Sequence, residues 1–172
     1  DGREGGFSEE PSCIPVSGRS FSPGGSVRIG AATPRIISHD PMPLPFSVVI
    51  ITRDAVTQLD ACLASADFAD EMLVVDSGST DGTRDLAAAR GARVIEHAWP
   101  GFGPQKQYAV ERARNDWVLC LDADERVSPE LRAAILAVLA APAANVYMLA
   151  RCNRFMGRYL RHGEGYPDWN TR

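Results

Sequence analysis

Apolar and polar positions follow no regular period over residues 1–45, which are rich in Gly, Pro, Ser and Arg. The pattern changes at residue 46, where the apolar run FSVVIIT begins. A segment without amphipathic periodicity buries too little apolar surface to fold by itself. We therefore predict a disordered or non-native tail over residues 1–45 and a folded region over residues 46–172.

Short apolar runs alternate with helical patterns through the folded region. The runs are typical of buried strands and cover residues 46–52, 72–75, 92–95, 117–121 and 146–150. Helical patterns separate them, over residues 59–66, 80–90, 104–114 and 129–139. Strands that alternate with helices predict an α/β fold, with a mostly parallel, Rossmann-like sheet flanked by helices.

Local residue choices predict where two of these helices begin. Thr80 or Asp81 is suited to cap one helix, which Gly91 then ends. Ser128 followed by Pro129 is typical of a cap and first helical position.

Polar residues follow three of the predicted strands at the point where each strand ends. These segments are Thr52-Arg53-Asp54, Asp76-Ser77-Gly78-Ser79 and Asp122-Ala123-Asp124. The carboxyl ends of parallel strands meet at one edge of a sheet, and open α/β sheets bind their ligands there. We therefore expect the three segments to line one crevice.

The acidic pair Asp122 and Asp124 is separated by one small residue. Carboxylate oxygens suit Mg²⁺ or Mn²⁺, particularly when the ion also binds a substrate phosphate. An isolated D-x-D pair is common by chance, and the alternative interpretation is a solvated turn at the end of the strand. The turn SGSTDGT after Asp76 matches neither G-x-x-x-x-G-K-[ST] nor G-x-G-x-x-G, which excludes those two phosphate loops.

Composition narrows the classes of function. The net charge is −4, which argues against a general nucleic-acid-binding protein. The four cysteines show no C-x-x-C spacing, which is typical of a reducing, cytoplasmic compartment. No apolar run in the sequence reaches the length of a membrane-spanning helix.

The segments FSVVIITRD, LVVDSGSTDGT and LDADE, in this order and spacing, resemble the family 2 glycosyltransferases of the GT-A fold. The resemblance runs from residue 45 to the end of the chain. Two further segments, FGPQKQYA and FMGR followed by YPDW, are similar to the branch of lipopolysaccharide core β-1,4-glucosyltransferases. The chain departs from that branch at residues 163–166, GEGY, where the branch has a tryptophan before the tyrosine. The branch implies transfer of a hexose, glucose from UDP-glucose, to a lipopolysaccharide core or related lipid-linked saccharide.

The resemblance implies roles for the residues that follow the first two strands. Thr52 and Arg53 would line the nucleotide pocket, and Asp76 would accept a hydrogen bond from the uracil ring. Ser77 lies in the small turn after Asp76, whose hydroxyls and amides can face a ligand, and it is a further candidate for substrate binding. Together these residues would bind the nucleoside part of the donor.

The resemblance also implies a metal and phosphate site. Asp124 would coordinate the Mg²⁺ or Mn²⁺ ion that bridges the diphosphate, and Asp122 would hold the ribose or assist the metal. Lys106, the single lysine of the chain, matches a region where the family has a basic residue near the phosphates. A lysine exposed on a polar helix face is the alternative interpretation.

An inverting transfer needs a carboxylate that deprotonates the acceptor hydroxyl as a general base. In the family this base follows a further strand and the acceptor loops, so we expect it beyond Arg172 and regard the domain as incomplete at its carboxyl end. Asp168 and Glu164 are the candidates within the chain. The alternative function is therefore a nucleotide-sugar-binding fragment without turnover.

A basic series interleaved with aromatic residues lies near the end of the chain: Arg151, Arg154, Phe155, Arg158, Tyr159 and Arg161. On a helix, most of these arginines would share one side. One interpretation is contact with an anionic lipid-linked acceptor, with peripheral association at the cytosolic face of the inner membrane. The other is a solvated helix face.

Overall fold

The computed structural model describes residues 43–156, 158–159 and 168–171. Of the predicted tail, only the last three residues are described, and they are exposed. The helices and strands are, in chain order, β1 (Phe46–Thr52), α1 (Val56–Ser65), β2 (Glu71–Asp76), α2 (Thr83–Ala89), β3 (Arg93–Glu96), α3 (Phe102–Val110), β4 (Trp117–Asp122), α4 (Pro129–Ala140), β5 (Met148–Arg151), β6 (Arg154–Phe155), β7 (Arg158–Tyr159) and β8 (Asp168–Thr171).

Four parallel strands form the main sheet in the order β3-β2-β1-β4. All seven residues of β1 are buried, as the apolar run predicted. The register places Thr52 beside Asp76 and Ile51 beside Asp122. The predicted parallel α/β sheet is therefore confirmed, and the three polar strand ends lie side by side.

Two apolar layers hold β1 between them. Val48 and Ile50 pack into a core that α1, α2 and α4 cover, whereas Val49 and Ile51 pack with Ala109 of α3 on the other face. Burial of a Val or Ile side chain contributes roughly 1.5–3 kcal/mol. The strand that carries Thr52 is therefore packed on both faces, and α3 lies against one of these faces of the sheet.

The fifth predicted strand does not join the parallel sheet. β5 pairs antiparallel with β8, while β6 and β7 form a small antiparallel ladder. The helical interpretation of the basic series is therefore wrong where its residues are described, because these residues are mainly in extended strands. Arg151, the first of the series, forms ion pairs with Glu125 and Asp168. Arg161 lies outside the described residues.

Helix ends agree with the prediction where the cap is local. Ser128 accepts a hydrogen bond from the Leu131 N–H at 3.2 Å, and α4 begins at the next residue, as predicted. In contrast, α2 begins at Thr83 and not after Thr80 or Asp81, because Gly82 takes the cap position with φ +90°. In the part of the chain that the structure describes, no helix is both long and apolar enough to cross a membrane.

Candidate functional site

The carboxyl ends of β1, β2 and β4 bring most of the predicted site residues to one edge of the sheet. Thr52 and Asp76 are register partners, and Asp122 ends the strand on the other side of β1. Arg53 follows Thr52 and is exposed at the rim of this edge. The candidate site at this edge therefore has a side at β2 and a side at β4, which are described in turn.

The carboxylate of Asp76 is fully buried and accepts four hydrogen bonds. One oxygen accepts from Thr52 Oγ1 at 3.0 Å and from the Ser79 hydroxyl. The other accepts from the N–H groups of Gly78 and Ser79, at 3.1 and 2.8 Å. Arg84 Nε lies 3.8 Å from this second oxygen. A buried carboxylate is costly unless it is hydrogen-bonded and compensated, so Asp76 fixes the conformation of the turn that follows β2.

A second set of hydrogen bonds joins this turn to the segment after β1. Asp54 accepts from the Thr80 N–H at 2.8 Å, and its own N–H donates to Ser79 Oγ at 2.8 Å. Asp81 accepts from the Val56 N–H at 3.1 Å. A hydrogen bond from the Thr83 hydroxyl lowers the pKa of Asp81. Sequence reasoning assigned no such contacts to Asp54 or Asp81, because their partners lie about 25 residues away along the chain.

Lys106 and Asp122 form the β4 side of the candidate site. Helix α3 packs on β1, β2 and β4, and Lys106 in its first half places Nζ 2.7 Å from Asp122 Oδ1. Both side chains are about two-thirds buried, at 27% and 31% exposure. The alternative of a lysine exposed on a polar helix face is therefore wrong.

Glu125 holds the turn that carries the acidic pair. One carboxylate oxygen accepts from the Asp122 N–H at 2.9 Å, and the Glu125 N–H donates to the Asp122 carbonyl, also at 2.9 Å. The other oxygen lies 3.3 Å from Arg151 Nη1. Asp124 is exposed in the same turn. Glu125 was not identified from the sequence, although it directly follows the acidic pair.

The acidic pair provides few ligands for a metal. In residues 43–156, 158–159 and 168–171, no group of three or more His, Cys, Asp or Glu side chains is arranged to hold an ion. A zinc site with three or four protein ligands is thus not present in the described part. Mg²⁺ commonly binds one or two carboxylates and completes its shell with water and substrate phosphates. Asp122 and Asp124 fit that donor set.

The sequence offers two candidates for the general base within the chain, Glu164 and Asp168. Glu164 lies outside the described residues. Asp168, in β8, accepts hydrogen bonds on Oδ2 from Arg151 Nε and Nη2, at 3.0 and 2.6 Å, and from Asn153 Nδ2 at 3.5 Å. The hydrogen bond with Asp168 raises the pKa of Arg151. Arg151 thereby links β8 to Glu125 and the acidic turn.

The chain is similar in sequence to bacterial glycosyltransferases. The lipopolysaccharide core biosynthesis glycosyltransferase LpsC of Rhizobium meliloti (strain 1021) is 38% identical over 135 residues, which cover 75% of this chain and 48% of that protein. A glycosyltransferase of Rickettsia bellii (strain RML369-C) is 38% identical over 103 residues, 59% of this chain and 35% of its own length. The chain thus spans about a third to a half of these relatives.

Solved structures show the same sheet. Mannosyl-3-phosphoglycerate synthase from Rubrobacter xylanophilus superimposes with a TM-score of 0.50 and 29% identity, over 58% of this chain and 37% of that one. Glucosyl-3-phosphoglycerate synthase from Mycobacterium tuberculosis gives 0.50 and 25%, over 58% and 42%. The family model described as glycosyl transferase family 2 matches residues 47–171, which is well over half of the chain. This transferase domain, with its parallel GT-A sheet, therefore belongs to glycosyltransferase family 2.

Proposed function

We propose that the protein is an inverting, metal-dependent glycosyltransferase that transfers glucose from UDP-glucose to a lipopolysaccharide core or related saccharide. The observation that carries this proposal is the pairing of Lys106 with Asp122 beside Asp124, on the edge where Thr52 meets Asp76. Such an edge offers one end to a nucleoside and the other to a diphosphate. The similarity to LpsC supports a saccharide acceptor of the lipopolysaccharide core type.

The nucleoside end is assigned to the turn after β2. Thr52, Asp76 and Ser77 bind the uracil and its ribose, with Arg53 at the rim. The four internal hydrogen bonds of Asp76 leave no unoccupied lone pair for the uracil N–H. Binding of uracil to this carboxylate therefore displaces a donor. The Ser79 hydroxyl is best suited to leave, because it rotates without moving the backbone.

The diphosphate end is assigned to Asp122, Asp124 and Lys106. Mg²⁺ or Mn²⁺ bound there would neutralise the charge that develops on the leaving diphosphate. Asp124, which is exposed, is the principal ligand, and Asp122 assists it or holds the ribose. Lys106 adds a positive charge at the same place, fixed in position before the reaction begins.

The acceptor base is assigned outside the described residues. Oδ2 of Asp168 already accepts hydrogen bonds from a guanidinium and an amide, which hold this carboxylate against Arg151 and Asn153 and disfavour a role as the base. This leaves Glu164 and residues beyond Arg172 of a longer protein as candidates. Donor binding without turnover is the second function that this observation favours. In either case we propose a cytoplasmic protein that meets its lipid-linked acceptor at the inner membrane surface.

A transfer assay tests this proposal. The 172-residue chain is incubated with radiolabelled UDP-glucose, Mn²⁺ and a truncated lipopolysaccharide acceptor, and binding of UDP is measured in parallel. Transfer with inversion supports the full proposal, whereas UDP binding without transfer supports the second function. Absence of UDP binding would contradict both.

A further inference from the structure

Gln105 is a fully buried amide in the first half of α3. Its Nε2 donates to Ser77 Oγ at 3.0 Å and to the carbonyl oxygen of His97 at 3.3 Å. Its Oε1 lies 2.7 Å from His97 Nδ1. Burial of an amide is unfavourable unless it is hydrogen-bonded, so this side chain is committed to these partners.

The partners also fix the orientation of the amide and the tautomer of the histidine. The His97 carbonyl can only accept a hydrogen bond, so the amide nitrogen of Gln105 faces it. The amide oxygen then faces the ring, and His97 Nδ1 must carry a hydrogen to donate. The ring stacks on Tyr108 with centroids 3.6 Å apart and planes 18° apart. His97 is therefore held by an amide at its edge and a phenol ring at its face.

Gln105 joins two segments of the chain just beyond the last backbone hydrogen bonds of the parallel sheet. The Ser77 N–H bonds to the Thr52 carbonyl, and the His97 N–H bonds to the Asp76 carbonyl, both at 2.9 Å. Beyond these bonds the segments that follow β2 and β3 leave the sheet. The Gln105 amide joins these segments there, because it donates to the Ser77 hydroxyl and to the His97 carbonyl.

Adjacent residues of α3 thus contact opposite sides of the candidate site. Gln105 binds the turn after β2, and Lys106 binds Asp122 at the end of β4. We propose that Gln105 is a positioning residue for the donor, which fixes Ser77 and the turn after β2 so that the nucleoside end is preformed. This inference rests on the proposed function, because it takes the turn after β2 to be the nucleoside end.

Calorimetry on the full 172-residue chain with Mn²⁺ tests the inference, using UDP, UMP and pyrophosphate as ligands. Gln105→Met removes the amide while keeping the length of the side chain. We expect it to weaken the binding of UDP and of UMP by the same factor, about tenfold. This is typical of the loss of hydrogen bonds that order a binding site. Pyrophosphate binding should not change. Gln107→Met is the matched control, since Gln107 is exposed on the same helix and bonds only to Glu111 in the contacts described.

Gln105→Asn is a second variant, which tests the inference if Gln105→Met does not fold. It keeps an amide in the site, but one methylene too short to span Ser77 and His97 together. We expect it to weaken UDP and UMP equally, by at least about threefold. Folding of each variant is checked by its thermal melting curve, and binding is measured well below the melting temperature.

A double-mutant cycle with Ser77→Ala tests the route of the effect. If Gln105 acts through Ser77, the double variant loses no more UDP affinity than the worse single variant. The inference is overturned if either folded Gln105 variant binds UDP and UMP within about twofold of the wild type. It is also overturned if the binding of pyrophosphate weakens as much as the binding of UDP. The same holds if the losses of UDP affinity in the Gln105 and Ser77 variants are additive. Failure of the wild type to bind UDP would instead contradict the proposed function, and the inference with it.

Discussion

Lys106 Nζ lies 2.7 Å from Asp122 Oδ1, so an ion pair joins helix α3 to the end of the strand that carries the acidic pair. Both side chains are largely buried, so the cost of removing the two charges from water offsets most of their attraction, and the pair is weak evidence for stability. Stability therefore gives little reason for the only lysine of the chain to lie there. The pair instead sets a positive charge beside the carboxylates that we assign to the metal.

Replacement of this lysine separates binding of the metal from binding of the nucleotide. In Lys106→Met, Asp122 no longer has an ammonium group that competes with a cation. We expect Mn²⁺ alone to bind at least as tightly as in the wild type, while UDP with Mn²⁺ binds about tenfold more weakly because a charged hydrogen bond is lost. Calorimetry measures both. Arg132→Met is the charge-matched control, since Arg132 is on α4 and pairs with Asp67. Weaker binding of Mn²⁺ alone would refute this role for Lys106.

Asp76 should contribute to stability as well as to binding. Asp76→Ala leaves the N–H groups of exposed Gly78 and buried Ser79 without their acceptor, so the Ser79 N–H becomes an unsatisfied buried donor. Unsatisfied buried donors cost about 1–3 kcal/mol, so we expect the free energy of unfolding to fall by that amount. Urea denaturation measures it, with Asp67→Ala as an exposed control that should change stability by about 1 kcal/mol or less. A variant as stable as the control would contradict the account of the turn.

Glu71, the first residue of β2, should make the free energy of unfolding depend on pH in the acid range. Its carboxylate accepts from Ser47 Oγ, from Arg93 and from the Arg114 N–H, at 2.7 to 2.9 Å. Burial raises the pKa of Glu71, but these hydrogen bonds outweigh it, and the pKa lies below its ordinary value. The stabilisation is therefore complete above the unfolded pKa of about 4.3 and is lost as the pH falls through the lower folded pKa.

The variant Glu71→Gln isolates this contribution. We expect it to lower the melting temperature at pH 7 and to flatten the loss of stability below about pH 4.3, relative to the wild type. Melting curves between pH 7 and pH 3 check this. Equal slopes for the two proteins in acid would show that Glu71 does not carry the effect.

Elements whose cause is local could be predicted from the sequence. The seven apolar residues of β1 form a fully buried strand, and Ser128 caps α4. In contrast, α1 begins at Val56, three residues before the predicted start, because Asp81 and Thr83 bond to the N–H groups of Val56 and Ala55. Those acceptors lie 25 and 28 residues away, so no local pattern reveals them.

The candidate site was predictable as a set of residues but not as a set of contacts. Parallel strands alone place Asp76 and Asp122 at one edge. Which residues of α3 face the two sides depends on how the helix packs on the sheet, and this is not written in the run PQKQ. The Lys106 pair and the buried Gln105 therefore emerge only from the structure. The antiparallel pairing of β5 with β8 likewise depends on a partner strand 17 or more residues away.

Calorimetric titration of the wild type and Asp124→Asn with UDP, each in Mn²⁺ and in EDTA, tests the central claim most directly. We expect the wild type to bind UDP at least about tenfold more tightly in Mn²⁺ than in EDTA, as charge-assisted phosphate binding through the ion requires. Asp124→Asn should bind UDP with nearly the same affinity in both buffers, because the charged carboxylate that principally holds the ion is lost. Equal affinity of the wild type in Mn²⁺ and in EDTA would contradict a metal-dependent donor site at Asp122 and Asp124.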